Sequence, residues 1–240
     1  MQNREMEEYY RARAPEYEQI YYRDMPERRQ ELADEAARLA ELVSGKAVLE
    51  LACGTGYWTQ VISRTAASVT ASDLSSEMLE EARKKTYRIP VEFVQADMYK
   101  QAFPRKKFDI VALGFWFSHQ PRQEFDVLLD ILTAPLKPGG LIWMIDNNPP
   151  AEGPTLETAG QDDFGNNYKR RFLDSGEQYT IMKNYFSRND LETILQPRFS
   201  IKSLIHNNGG PGTRTPKRSR AAVFKTAALP IRSSPPGPIR

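Results

Sequence analysis

The chain has 240 residues, 40% of them hydrophobic and 27% charged, a balance that suits one globular α/β domain with additions. No apolar run reaches the roughly 20 residues of a bilayer crossing, and a single cysteine, Cys53, excludes an internal disulfide and a multi-cysteine zinc site. The net charge of +2 hides a split: residues 207–240 hold seven Lys/Arg and no acid, so the remainder is five negative, which argues against a broad basic groove for nucleic acid.

The N-terminus "MQNREMEEYYRAR" is charged throughout and lacks the apolar centre of a secretory signal. With one cysteine, a reducing, cytoplasmic setting is expected. Residues 5–24 carry Tyr9, Tyr10, Tyr17, Tyr21 and Tyr22 and are split by Pro15, which predicts two short helical pieces. In 26–43, Leu32, Ala36, Leu39 and Val43 make one apolar stripe behind Pro26, so a helix is predicted there.

After Ser44-Gly45 strands and helices alternate. "AVLELA" reads as a strand, "YWTQVISRTA" as a helix, "SVTASD" as a strand and "SSEMLEEARKKT" as a helix capped by Ser75. "VEFVQAD" and "FDIVALGF" are strands, "PRQEFDVLLDILTAPL" a helix stopped by Lys137-Pro138-Gly139-Gly140, and "LIWMID" a strand. This order predicts right-handed crossovers and a largely parallel sheet with helices on both faces. Residues 147–178 are polar and rich in Gly and Pro, and read as an inserted loop or lid. "YTIMKNYF" is an added strand, "SRNDLETIL" a short helix capped by Ser187, and "FSIKSLIHN" and "AAVFKTAAL" two late strands. The Pro-rich end, "PIRSSPPGPIR", is expected to be disordered, and the basic tail either solvated or in touch with an anionic partner.

The stretch "ELACGTGYWT" after the first strand raises the question of a ligand. A dinucleotide turn wants Gly-x-Gly-x-x-Gly, and position 59 is threonine. No Gly-Lys-Ser/Thr follows, so there is no P-loop. Tyr57 and Trp58 crowd the place where phosphates would approach, and Glu50 adds negative charge that favours a cationic ligand. Asp73 ends the second strand 17 residues after Gly56, where a carboxylate can accept both ribose hydroxyls; the alternative is a helix cap. Asp97 can receive the exocyclic amine of adenine beside the Met98 backbone. Met78 can pack on the base or belong to the core.

In order and spacing, "VLELACGTG", "VTASDLSSEMLEEAR", "VEFVQADMY", "FDIVALGFWFSH" and "LKPGGLIWMID" resemble the successive motifs of class I S-adenosylmethionine-dependent methyltransferases, over residues 45–146. Gly54 and Gly56 match the family's Glu/Asp-x-Gly-x-Gly-x-Gly, and Ala52 departs from its first glycine. The resemblance implies a Rossmann-like three-layer α/β/α sandwich, with a mostly parallel seven-stranded sheet ending in a C-terminal antiparallel hairpin. It implies S-adenosylmethionine as cofactor and no metal. It places Glu50 at the methionyl ammonium side, and Ala52, Gly54 and Gly56 at the backbone approach. Asp73 and Leu74 fall at the ribose, Met78 at the adenine face, Asp97 and Met98 at its edge, and Gly114 and Phe115 beside the donor. "YYRARAPEYEQIY" is similar to the opening of many small-molecule methyltransferases, in which the arm folds over the donor; Tyr17 is the arm residue assigned to the site.

The expected layout is an arm over 1–44, a catalytic domain over 45–228 with a substrate-cover insertion over about 147–186, and a tail over 229–240. A sulfonium suits an aromatic wall, for which Tyr9, Tyr10, Tyr17, Tyr22, Trp58, Trp116 and Phe117 are candidates beside ordinary packing. Methyl transfer needs alignment and exclusion of water, and a base only where the acceptor loses a proton. His119 is the candidate base, with a structural role as the alternative; His206 reads as structural. Trp116, Tyr168 and Arg171 are the expected substrate contacts. Lys169 and Arg170 read as a solvated face or as contacts to an acidic acceptor. "GFWFSH" stands where amide and adenine N-methylating enzymes carry an Asn-Pro-Pro-Tyr-like segment. A small-molecule acceptor is therefore expected, methylated at O, N or C, with no nucleic acid or membrane partner and a monomer or weak homodimer. The competing readings are a NAD-type oxidoreductase and a donor-binding module without activity.

Overall fold

The computed structural model of the chain describes residues 4–18, 26–147, 158–196, 198–206 and 219–226. The N-terminal arm is helix α1 (Arg4–Arg13), ended by a 3-10 turn over Ala14–Glu16 where Pro15 removes a donor. Helix α2 (Pro26–Leu42) buries the predicted stripe, Leu32, Ala36, Leu39 and Val43, each at most 6% exposed. Then come β1 (Ala47–Leu51), α3 (Tyr57–Ile62), β2 (Ser68–Asp73), α4 (Ser76–Arg83), β3 (Val91–Gln95), β4 (Phe108–Gly114), α5 (Phe125–Thr133) and β5 (Leu136–Asn147). Helix α3 stops earlier than its sequence suggests, because the Ser63 hydroxyl turns back onto the Gln60 carbonyl. Strand β5 starts five residues before "LIWMID": the Lys137–Gly140 segment lies inside it, and a register irregularity against β4 takes up Gly139 at φ 76°.

Residues 158–172, expected as loop, form strands β6 (Thr158–Gln161) and β7 (Asn167–Phe172), and the added strand read in "YTIMKNYF" is present as β8 (Gln178–Met182); the three make a separate antiparallel sheet. Polar composition masked β6 and β7. The weak signal was the alternation in "YKRRF", where Lys169 is buried and Arg170 exposed. Helix α6 (Arg188–Leu195) carries a full capping box between Ser187 and Asp190. Strands β9 (Phe199–His206) and β10 (Ser219–Thr226) complete the main sheet.

The main sheet has the order β3-β2-β1-β4-β5-β10-β9, parallel through β5 and antiparallel at β10 and β9. Each face buries its own core. One joins α2 and α3 through Leu39, Val43, Trp58, Ile62 and Trp143; the other joins α5 and α6 through Phe108, Leu128, Leu132, Leu191 and Leu195. The three-layer sandwich is therefore present as the alternation predicted. Strands β2 and β3 are added on one side of β1 and β4 and β5 on the other, and the crevice at this switch point, at the carboxyl ends of the strands, is where an open α/β sheet takes its ligand. Residues 229–240 and Tyr22 lie outside the described residues. Among the described residues no helix is long and apolar enough to cross a membrane, and no three His, Cys, Asp or Glu cluster as metal ligands would.

Candidate functional site

A cleft of about 930 Å³, open mouth included, sits at the carboxyl ends of β1 to β4. Its floor begins at the turn after β1, where Ala52, Gly54 and Gly56 have φ of 52°, 55° and 85°. Only glycine enters this left-handed region without penalty, so Ala52 is strained where the family pattern puts its first glycine. Ala52 and Gly54 line the cleft. A Cβ on Gly54 would meet only the Tyr17 ring, at 3.9 Å. Gly56 works elsewhere: a Cβ there would lie 2.5 Å from the Tyr87 hydroxyl and 3.2 Å from the Ala82 Cβ, so its bareness lets α4 close on the turn.

Asp73, at the end of β2, holds the turn in place. One carboxylate oxygen accepts the Gly54 N–H at 2.8 Å and the other the Ser75 N–H at 2.9 Å. Both oxygens keep further lone pairs, and the residue lines the cleft with Leu74, Ser75 and Met78. Burial raises its pKa and these backbone bonds oppose the rise. At the end of β3, Asp97 accepts the Tyr99 N–H at 3.0 Å and pairs with Lys100 at 2.8 Å, while Ala96, Asp97 and Met98 form the next wall.

Glu50 stands one layer behind the cleft, not among the residues that line it. It is 1% exposed and accepts the Thr59 hydroxyl at 2.6 Å. Burial raises its pKa to about 8, with the Asp73 charge adding to the rise against the Thr59 bond. It therefore carries a proton at neutral pH, and the threonine in place of a third glycine is its donor. Trp58 is likewise core and not wall. It packs at 5.0 Å on Trp143, and Gly114 makes room for it, since a Cβ on Gly114 would lie 2.3 Å from the indole Cδ1. Phe117, too, is buried, stacked on Phe125 at 5.0 Å.

After β4, Phe115 is again left-handed at φ 56°, and its N–H donates to the Ile145 carbonyl at 2.7 Å. That turn aims Gly114, Phe115, Trp116 and His119 into the cleft. The His119 Nδ1 lies 2.6 Å from the Met182 carbonyl oxygen, and its Nε2 lies 2.9 Å from the Tyr10 hydroxyl. Burial, with the Lys183 ammonium adding, lowers the His119 pKa to about 3. Behind it, Asp146 accepts the Ser118 N–H at 2.8 Å and pairs with Lys183 at 3.0 Å, and Lys183 donates to the Ser118 hydroxyl at 2.5 Å. Burial pushes the Asp146 pKa up, but Lys183 and His119 outweigh it and the net shift is downward.

The arm forms the roof. Met6, Glu7, Tyr10, Arg11 and Tyr17 line the cleft, whereas Tyr9 turns away and packs on Tyr179 at 5.6 Å. Glu5 accepts the Thr180 N–H at 2.5 Å, and Arg11 pairs with Glu77 at 3.5 Å. Glu18 accepts the Thr55 hydroxyl at 2.8 Å and pairs with Lys85. Of the expected substrate contacts, Trp116 lines the cleft and Tyr168 does not; its hydroxyl donates to Asp162 at 3.1 Å. Arg171 pairs in register with Tyr179, and its charge acts on both Tyr10 and His119. Lys169 is 5% exposed, its ammonium 5.4 Å from the Tyr185 ring, so it is not part of a solvated face. The cleft residues that sequence reasoning passed over are Met6, Glu7, Arg11, Ser75 and Ala96. Met6 and Tyr10, four apart on a helix, were the legible signal.

A family model described as "Methyltransferase domain" matches residues 48–140. The demethylmenaquinone methyltransferase of Staphylococcus aureus is 34% identical over 110 residues, which cover 44% of this chain and 45% of that protein. The fatty-acid O-methyltransferase of Mycolicibacterium smegmatis is 38% identical over 120 residues, 49% of this chain and 43% of that protein. The chain thus spans less than half the length of these curated relatives. Among solved structures, a DhpI–SAH complex is 29% identical, with a TM-score of 0.67 over 92% of this chain and 95% of that one. A DhpI–SAM–HEP complex gives 28% and 0.66 over the same shares.

Proposed function

We propose that this chain, which belongs to the class I S-adenosylmethionine-dependent methyltransferases, transfers a methyl group to an O, N or C atom of a small-molecule acceptor. One observation carries the reading: the cleft meets Asp73 on one wall, Asp97 on the next and the bare Gly54 turn on its floor, under an aromatic roof. These residues fit a cationic nucleoside. Three carboxylates, Glu7, Asp73 and Asp97, line the cleft and the glycine backbone is open to close approach, while the β1 turn has neither P-loop lysine nor third glycine for phosphates. The donor, when bound, supplies an activated methyl on a sulfonium that is its own leaving group.

The chain's residues bind, orient and exclude water. Asp73 takes the ribose hydroxyls on the lone pairs its backbone bonds leave free. Asp97 takes the adenine amine, Met98 its edge and Met78 its face; Leu74 closes the rim. Tyr17 and Tyr10 cover the sulfonium side, where ring faces attract positive charge. Neutral Glu50 supports the methionyl end through the turn it underpins. Trp116 and Arg171 border the acceptor end. The relatives named as methylating a fatty acid and demethylmenaquinone support a small-molecule acceptor.

Thermal shift tests the donor assignment: S-adenosylhomocysteine should raise the melting temperature and NAD should not. Stabilisation by NAD alone would favour an oxidoreductase. Labelled donor incubated with a metabolite extract then separates an enzyme from a binding module, since only an enzyme yields labelled small molecules.

A further inference from the structure

Three atoms fix the direction of a hydrogen-bond chain at the acceptor end. The Met182 carbonyl oxygen can only accept, so the His119 Nδ1 at 2.6 Å carries the hydrogen. A neutral imidazole then has a bare lone pair on Nε2. The Tyr10 hydroxyl, 2.9 Å away, must donate its only hydrogen to that lone pair. The Tyr10 oxygen is left with acceptor lone pairs, and the residue lines the cleft. Among the described residues no donor is placed on that oxygen. The Tyr10 oxygen is thus left as a hydrogen-bond acceptor in a residue that lines the cleft, its polarity set by the Met182 backbone carbonyl through the His119 ring.

Resting on the methyltransferase reading above, we infer that Tyr10 is the catalytic residue that meets the acceptor, and that the acceptor is a neutral hydroxyl compound whose O–H donates to Tyr10 and becomes a methyl ether. The step balances without a further reagent. The acceptor oxygen forms a bond to the methyl carbon as the carbon–sulfur bond breaks, its electron pair leaving on sulfur. The acceptor proton passes to the Tyr10 oxygen while the Tyr10 proton passes to Nε2. After product release, the proton returns through Tyr10 to water.

The surroundings agree with this order of events. Burial keeps the Tyr10 phenol well above its ordinary pKa, so it rests as a donor to His119, and the Arg171 charge partly offsets that rise, easing negative charge on the phenol oxygen in passing. A ring as weakly basic as His119 does not strip a resting hydroxyl. It takes the proton only once the forming O–CH3 bond has made that proton strongly acidic. An oxyanion acceptor would instead face the Tyr10 lone pairs. A neutral amine needs no relay, because its lone pair attacks without proton loss.

The chain has only two histidines, His119 and His206, so nitrogen NMR of histidine-labelled full-length protein reads the polarity directly. The expected result is a neutral ring protonated at Nδ1 that does not titrate between about pH 5 and 8, with Tyr10→Phe moving the Nε2 resonance. A ring protonated at Nε2 overturns the inference. The chemical test offers phenol, aniline and benzoate with labelled donor. Label is expected in anisole, with Tyr10→Phe at least tenfold slower and its affinity for S-adenosylhomocysteine within threefold of the parent. Label in the aniline or benzoate product instead, no label in any, or full turnover in Tyr10→Phe overturns it. Failure of the parent protein to bind S-adenosylhomocysteine is a different outcome, and removes the methyltransferase reading itself.

Discussion

Asp73 shows how one side chain shapes a turn and still lines a cleft. Its two backbone bonds to Gly54 and Ser75 shape the β1 turn, and the lone pairs left over face the cleft. Asp73→Ala should weaken S-adenosylhomocysteine binding about tenfold or more, for loss of charge-assisted bonds of about 1.5–3 kcal/mol; titration calorimetry checks this, and unchanged affinity would remove its ribose role. Gly114 makes the opposite point, since its value lies in what it lacks. Gly114→Ala would drive a methyl into the Trp58 ring, 2.3 Å away, and overpacking of this kind costs about 1–3 kcal/mol. A drop of several degrees in melting temperature is expected, with donor affinity falling less than in Asp73→Ala. Ala52, at φ 52°, invites the reverse change. Ala52→Gly should relieve about 1–2 kcal/mol of strain against about 0.5–1 kcal/mol of added chain entropy, leaving a small gain that denaturant titration can resolve.

The elements differ in how they are held, and the arm rests on a small apolar cluster separate from the two cores of the main sheet. Helix α1 packs Tyr9 with Leu173, Ile181 and Tyr179 and bonds Tyr10 to His119, and polar ties run from Glu5 to Thr180, Arg11 to Glu77, and Glu18 to Thr55 and Lys85. A roof tied this way can open without unfolding the sheet beneath it. Glu18→Ala should speed release of S-adenosylhomocysteine several-fold in stopped-flow measurements and lower the melting temperature of the ligand-free protein by a few degrees, since Lys85 and Thr55 are mostly buried and lose their partner. The sheet elements were legible because each is an apolar run bounded by turn residues. Strand β8 was legible in "YTIMKNYF", but β6 and β7 were not, because they are polar and their order comes from pairing and side-chain bonds such as Asn184 to Asn166 and Gln120. The Lys137–Gly140 segment misled for a related reason: Pro and Gly signal a turn locally, yet β4 holds the segment in strand.

Buried ionisable groups set how the whole molecule responds to pH. Glu50 has a folded pKa of about 8 against an ordinary 4.5. A raised carboxyl stabilises fully below the unfolded value, and that contribution is lost as pH rises toward 8, on the order of several kcal/mol. Glu50→Gln, which can still accept from Thr59, should flatten the fall in melting temperature between about pH 5 and 8. His119 runs the other way. Its pKa is lowered to about 3 from 6.5, so its stabilisation is present above 6.5 and lost as pH falls toward 3. The sequence by itself determined the α/β order and the sheet's parallel core, and it singled out Asp73, Asp97 and Met98, which line one cleft, because strand ends and glycine turns are written in short contiguous stretches. Only the tertiary structure decided that Glu50, Gly56 and Trp58 stand behind the cleft, that Tyr10 and not Tyr9 faces it, and that His119 is locked in one tautomer. Those outcomes depend on which of several equivalent side chains a helix turns inward, and on a carbonyl 63 positions away from the histidine it orients.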